Sequence, residues 1–160
     1  MVGGSLNNEI SEISSEVFEP NPQTDCKVDP LIIEHAAGDF SKEAEYAIIC
    51  GGSDQNKKVQ KDCWNLNNNG TWRKINPLHE ARARYTMSNV NGLMYSIGGY
   101  NDKEKYGLQS VEMFNKSTWS IKRSLDVTIH SHCTIRFDER TLACIGGIQN
   151  GKVKNILNQI

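Results

Sequence analysis

The sequence predicts an all-β repeat fold of short antiparallel sheets, and three observations carry that prediction. The pair Gly-Gly occurs four times, at Gly3-Gly4, Gly51-Gly52, Gly98-Gly99 and Gly146-Gly147, at intervals of 48, 47 and 48 residues. Self-similarity on this scale is the signature of a repeat architecture. The last three pairs each end an apolar run, residues 46–50, 93–97 and 141–145. This fits a strand whose end lies where neighbouring backbone leaves no room for a Cβ, or where φ turns positive. Turn signals, not helical periodicity, separate the runs; Asn91-Gly92 is the favoured two-residue hairpin loop.

With the glycines setting the register, the rest of each unit aligns. A polar loop follows each of the first three pairs, then a short strand ending at Phe18, Leu66 or Phe114. Trp72 and Trp119 come next at equivalent places, with Cys26 in the first unit, then Leu31, Leu78 and Leu125. A new strand opens at His35, Arg84 and His132. One period thus holds about four short strands, the content of a propeller blade.

In chain order, residues 1–31 read as the outer half of a blade, the Ser-rich stretch 9–17 being loop plus strand. Residues 32–78 form a complete blade with a loose first hairpin around 38–44, and 79–125 a second with the hairpin 84–90/93–97. Residues 126–160 form a truncated blade whose hairpin, 132–137 with 141–145, turns at Asp138-Glu139-Arg140 and which ends inside a third strand. The expected architecture is a partial β-propeller of two complete four-stranded blades and two half blades. Six blades of this period would need roughly 290 residues, so the 160 residues read as a fragment or a truncated form.

The unit resembles the kelch repeat, on the double glycine, the apolar position before a polar turn (Phe18-Glu19-Pro20, Leu66-Asn67, Phe114-Asn115) and the following tryptophan. The resemblance runs from Gly3 to about residue 158; it departs at Cys26, which replaces a tryptophan, and in the fourth unit, which stops before reaching one. It implies that loops between second and third strands share one face with the blade-joining loops, and that this face binds a partner. Here those are residues 53–58, 100–106 and 149–152, with 29–34, 76–84 and 125–132. They carry polar and charged groups suited to recognition from a rigid scaffold. Arg82, Arg84, Tyr100, Asp102, His130 and His132 are the expected partner-binding residues, the arginines offering bidentate contacts to carboxylates. Gly51, Gly52, Gly98, Gly99, Gly146 and Gly147 are structural, as are Trp72 and Trp119, whose recurrence suits filling the space between blades.

Composition and motifs narrow the function classes. The net charge of −1, from 18 basic and 19 acidic residues, favours neither nucleic acid nor a membrane surface. No apolar run approaches the roughly 18 residues of a membrane span. There is no nucleophile elbow, zinc-protease helix or phosphate loop. His130, His132, Cys133 and Cys144 invite a metal reading, but alternation puts Cys133 on the other face from the histidines and no second ligand cluster exists. No metal, no cofactor and no catalysis are expected.

Five cysteines are an odd number. Cys50 ends a second strand and Cys63 lies on the antiparallel third strand of the same blade, close enough for a bridge; Cys133 and Cys144 are a weaker pair, since one residue in the turn moves them to opposite faces. The pattern Cys26-x-x-x-Pro30-Leu31 before Cys50-Gly51-Gly52 and Cys63 resembles cysteine-bearing kelch repeats of extracellular invertebrate proteins. With the sequons Asn69-Gly70-Thr71 and Asn115-Lys116-Ser117, it favours a secreted location over a cytoplasmic one.

The sequence therefore points to a non-catalytic protein-interaction module of a larger protein, binding a protein or peptide, with self-association through open blade edges as a further expectation. Two alternatives stand beside it. One is the propeller of a BTB-type adaptor for a cullin ubiquitin ligase; the other is a fragment of a galactose-oxidase-like copper oxidase.

Overall fold

The computed structural model describes residues 31–41, 46–67, 69–104, 107–153 and 157–159; the expectations for residues 1–30, Cys26 among them, lie outside the described residues. Each apolar run becomes the second strand of an antiparallel sheet. The first sheet is β1 (Ala37–Ser41), β2 (Tyr46–Cys50), β3 (Cys63–Leu66) and β4 (Trp72–Ile75), hydrogen-bonded in that order. The second repeats it with β5 (Thr86–Val90), β6 (Leu93–Ile97), β7 (Val111–Phe114) and β8 (Trp119–Ile121). Short β9 (Ile129–His130) leads into β10 (Cys133–Arg136) and β11 (Leu142–Ile145); β12 (Ile148–Gln149), β13 (Lys152–Val153) and β14 (Leu157–Gln159) follow. The third sheet is β10-β11-β14, the hairpin and the beginning of a third strand that the sequence implies. No helix occurs among the described residues.

The β5–β6 turn is the expected one, with φ of 53° at Asn91 and 76° at Gly92, the left-handed pair that matches strand twist. The double glycines are required by close approach. Gly98 has φ of 59°, and a Cβ there would lie 2.6 Å from the carbonyl oxygen of Ile129. That same carbonyl accepts the Gly99 N–H at 2.8 Å. The glycines therefore let the blade-joining loop of the next unit press directly on the strand end.

First strands pack on one another, β1 on β5 and β5 on β10, so the blades converge on the inner side. Two apolar layers fill the gaps. Tyr46, Ile48, Cys50, Cys63, Leu78, Tyr85, Met87, Met94, Phe114 and Trp119 lie between the first and second blades. Val90, Ile97, Val111, Ile129, Leu142 and Cys144 lie between the second and third. Trp119 is 5% exposed, packs on Phe114 with ring centroids 5.1 Å apart, and donates its indole N–H to the Asn76 carbonyl at 3.0 Å. Trp72 is half-buried.

In the first blade Cys50 stands opposite Cys63 and the two form a disulfide, with Cα atoms 4.1 Å apart. Cys133 and Cys144 do not pair: Cys133 stands opposite Ile145 and Cys144 opposite Thr134, which puts one thiol outside and the other in the core. Burial pushes the Cys144 thiol pKa up. Cys133, Ile135 and Ile145 sit on the outward side of the third blade and are exposed, as is Phe137 beyond it.

Candidate functional site

The loops predicted to share a face do so because they are stitched together by backbone hydrogen bonds. Glu34 pairs with Ser53, Ala83 with Tyr100, and His130 with Ile148, each joining a blade-connecting loop to the loop between second and third strands. The third loop is itself a small hairpin, β12 with β13, continued by β9, which the polar stretch 149–152 did not reveal.

The first two loops also have an internal organiser each, and sequence reasoning missed both. Asp54 accepts the N–H groups of Asn56 and Lys58 at 2.9 and 3.0 Å. At the equivalent place after the next double glycine, Asn101 accepts those of Lys103 and Glu104, each at 2.9 Å. The available signal was Gly-Gly-x-Asx, at residues 51–54 and 98–101. Such side chains replace a backbone turn and hold the loop in one shape. Adjacent loops are coupled as well. Asp102 accepts the Val59 N–H at 3.4 Å, and Lys57 bonds the Glu34 carboxylate at 2.8 Å.

The six expected partner-binding residues divide in two. Arg84 and Asp102 are exposed and Tyr100 half-exposed. Tyr100 stands edge-on to His130, centroids 5.9 Å apart. Arg84 lies near enough to His35 and His130 to help hold both imidazoles below their ordinary pKa, after burial, the larger cause. These groups thus leave a fixed positive charge at Arg84 beside two histidines kept neutral near pH 7.

Arg82, His130 and His132 are buried, unlike the other three. Arg82 is 0% exposed. Its backbone carbonyl accepts the Gly52 N–H of the first blade, while its guanidinium reaches into the second. There it donates to the carbonyls of Gly98 and Ser110 at 2.8 and 3.1 Å, to Ser110 Oγ at 2.9 Å and to Glu112 Oε1 at 2.7 Å. Glu112, itself 1% exposed, also accepts the N–H groups of His79 and Glu80 at 2.7 and 3.1 Å. The arginine is a staple between blades.

The register near the inner strands also differs by one residue from the expected one. His35, Arg84 and Ser131 are the equivalent positions, with φ of 54°, 53° and 55°. They form a hydrogen-bonded line across the blades, Arg84 N–H to the His35 carbonyl at 3.0 Å and Ser131 N–H to the Arg84 carbonyl at 2.7 Å. His132 accordingly corresponds to Tyr85. Tyr85 ties the first two blades through its hydroxyl, donated to the Cys50 carbonyl at 2.8 Å. His132 does the same at the next junction, its Nε2 lying 3.0 Å from Thr86 Oγ1.

Burial holds His132 down to a pKa of about 4, with His130 adding to the effect. A folded-state pKa below the unfolded value means that acid favours the unfolded chain, so stability falls as pH drops from about 6.5 to about 4 and then levels off for this group. At pH 5 the loss is expected to be about 2 kcal/mol. Melting curves at pH 7 and pH 5 should show it, and H132Y, which copies the other junction, should flatten it. Equal pH dependence in the two proteins would show that His132 is not the group responsible.

Among the described residues no three His, Cys, Asp or Glu side chains come together as a metal-ligand set. No helix of the described residues is long and apolar enough to cross a membrane.

This geometry of four-stranded blades, double-glycine contacts and loops gathered at one end defines a class, the kelch-type β-propeller. The comparisons agree. Residues 81–125 match the family model described as Kelch motif. An F-box/kelch-repeat protein of Arabidopsis thaliana is 36% identical over 55 residues, which is 33% of this chain and 16% of that protein. Kelch-like protein 35 of Homo sapiens is 31% identical over 85 residues, 52% of this chain and 14% of that protein. The solved structure of YjhT superposes with a TM-score of 0.69 at 16% identity, covering 78% of this chain and 42% of that one. The kelch motif is matched over residues 81–125, and the chain aligns with a minor part of each relative's length.

Proposed function

We propose that this chain is a non-catalytic protein-interaction module that binds a protein or peptide partner through its gathered loops. The observation that carries this reading is Arg84, exposed at the junction of three blades, with Tyr100 beside it on a loop fixed by Asn101. An exposed guanidinium on the same loop face as an aromatic ring suits an acidic segment of the partner. The disulfide between two fully buried cysteines supports a secreted location.

Displayed random peptides selected on the immobilised full-length protein provide the test. Asp- and Glu-rich peptides are expected to be enriched, and R84A and Y100A to weaken them by roughly thirtyfold each, the effect of about 2 kcal/mol at a hot spot. Melting temperatures should stay nearly unchanged, because neither side chain is buried. Peptides that bind R84A and Y100A as well as the parent would place recognition elsewhere.

The adaptor reading has the kelch relatives in its favour, one named as an F-box/kelch-repeat protein and one as Kelch-like protein 35. A BTB or F-box segment elsewhere in the full-length protein would favour it over the secreted module.

A further inference from the structure

The two sequons were set aside by the recognition reading, yet the structure places them alike. Asn69 lies on the β3–β4 hairpin and Asn115 on the β7–β8 hairpin, and both are exposed. Each carboxamide oxygen closes a local turn over its own sequon. Asn69 Oδ1 accepts the Thr71 N–H at 3.2 Å and the Thr71 hydroxyl at 2.7 Å. Asn115 Oδ1 accepts the N–H groups of Ser117 and Thr118 at 3.1 and 2.9 Å. Neither carboxamide nitrogen donates a hydrogen bond among the described residues, so the acceptor atom is engaged and the nucleophilic one is left open.

Position matters as much as exposure. Strand β3 begins at Cys63, beside the recognition loops, and ends at Leu66, where the sequon hairpin starts; β7 does the same from Val111 to Phe114. The hairpins therefore lie at the outer edge of each blade, at the far end of these strands from Tyr100. A bulky, hydrated group there leaves the blade cores and Tyr100 clear, although the Asn115 hairpin touches the start of loop 76–84, where Asn76 donates its carboxamide N–H to the Ser117 carbonyl at 2.8 Å.

We propose that Asn69 and Asn115 are N-glycosylation sites, a pair of glycans on the outer rim of adjacent blades. The co-reactant is an oligosaccharide carried on a polyprenyl pyrophosphate. The carboxamide nitrogen bonds to the anomeric carbon of the sugar, the anomeric C–O bond to the pyrophosphate breaks, and the polyprenyl pyrophosphate leaves with the electron pair while one amide proton passes to base. Nothing is oxidised or reduced. The required partner hydroxyls are those of Thr71 and Ser117.

This proposal rests on the secreted location, and the experiment separates the two. The full-length protein is expressed in eukaryotic cells twice, once with its own amino terminus and once behind a heterologous secretion signal. Material from each is treated with peptide-N-glycosidase F in heavy-oxygen water and the peptides are weighed. In both, the peptides containing Asn69 and Asn115 are expected to carry the labelled Asp that marks a removed glycan. S117A should abolish only the label at Asn115; it leaves the turn intact, because that turn uses the Ser117 backbone and not its hydroxyl. T71A should abolish only the label at Asn69, and T71S should retain it. Label confined to the protein with the added signal would uphold the acceptor sites and overturn the natural secreted location. Secreted protein from that same arm with both asparagines unlabelled would overturn the sites.

Discussion

Replacing Arg82 by alanine is expected to cost about 3–5 kcal/mol of stability, the range for breaking a buried ion pair. The variant would strand the Glu112 carboxylate, 1% exposed, with only backbone N–H groups to answer its charge. It would also remove the guanidinium donor from the Gly98 carbonyl, while the Ser110 carbonyl keeps the Gly98 N–H at 3.1 Å. Urea unfolding at pH 7 measures the effect. R82K keeps the charge but not the planar fan of donors, so it should fall between the parent and R82A. The double variant R82M/E112L is not expected to recover the parent, because Glu112 also accepts from His79 and Glu80, and an apolar side chain would orphan both. A loss under about 1 kcal/mol in R82A would mean that the guanidinium is not buried between the blades as described.

Removing the disulfide is the second large effect. The bridge closes a loop between residues 13 apart in sequence, and Cys50 and Cys63 are each 0% exposed. By loop-entropy reasoning, C50A/C63A is expected to lose about 3 kcal/mol, with a further loss from the cavity left between the first two blades. The second blade explains how the bridge fits: Ile97 and Val111 occupy the same opposed positions and fill the neighbouring gap with apolar side chains. Thermal melts of the two proteins under non-reducing conditions, with a cross-linked peptide identified by mass spectrometry in the parent, check the prediction. Free thiols at both positions in protein from an oxidising environment would remove the bridge and with it the main support for secretion.

The periodic parts of this molecule were open to reading because each depends on neighbours in sequence. Gly51-Gly52, Gly98-Gly99 and Gly146-Gly147 end second strands as expected, and the Asn91-Gly92 turn fixes the β5–β6 register. Cys50 and Cys63 could be matched because antiparallel pairing places them opposite each other. The error lay at the inner ends of the blades. Two residues apart on an extended chain, Arg82 and Arg84 should point the same way. Arg84 has φ of 53°, which breaks the alternation, and Ser131 at 55° does the same between His130 and His132. One arginine therefore turns inward and the other outward.

What the amino-acid order determined by itself was the all-β repeat and the gathering of loops at one end, both consequences of spacing, turn chemistry and strand alternation. Only the packed structure decided which polar groups serve the interior. At the positions matching Arg82 the chain has Ile33 and Ile129, both buried. An arginine tolerates the same burial because Glu112, Ser110 and the Gly98 carbonyl converge on it from the end of β6 and the start of β7, up to 30 residues away in sequence. Burial of a charge depends on partners brought together across blades, and no local pattern records them.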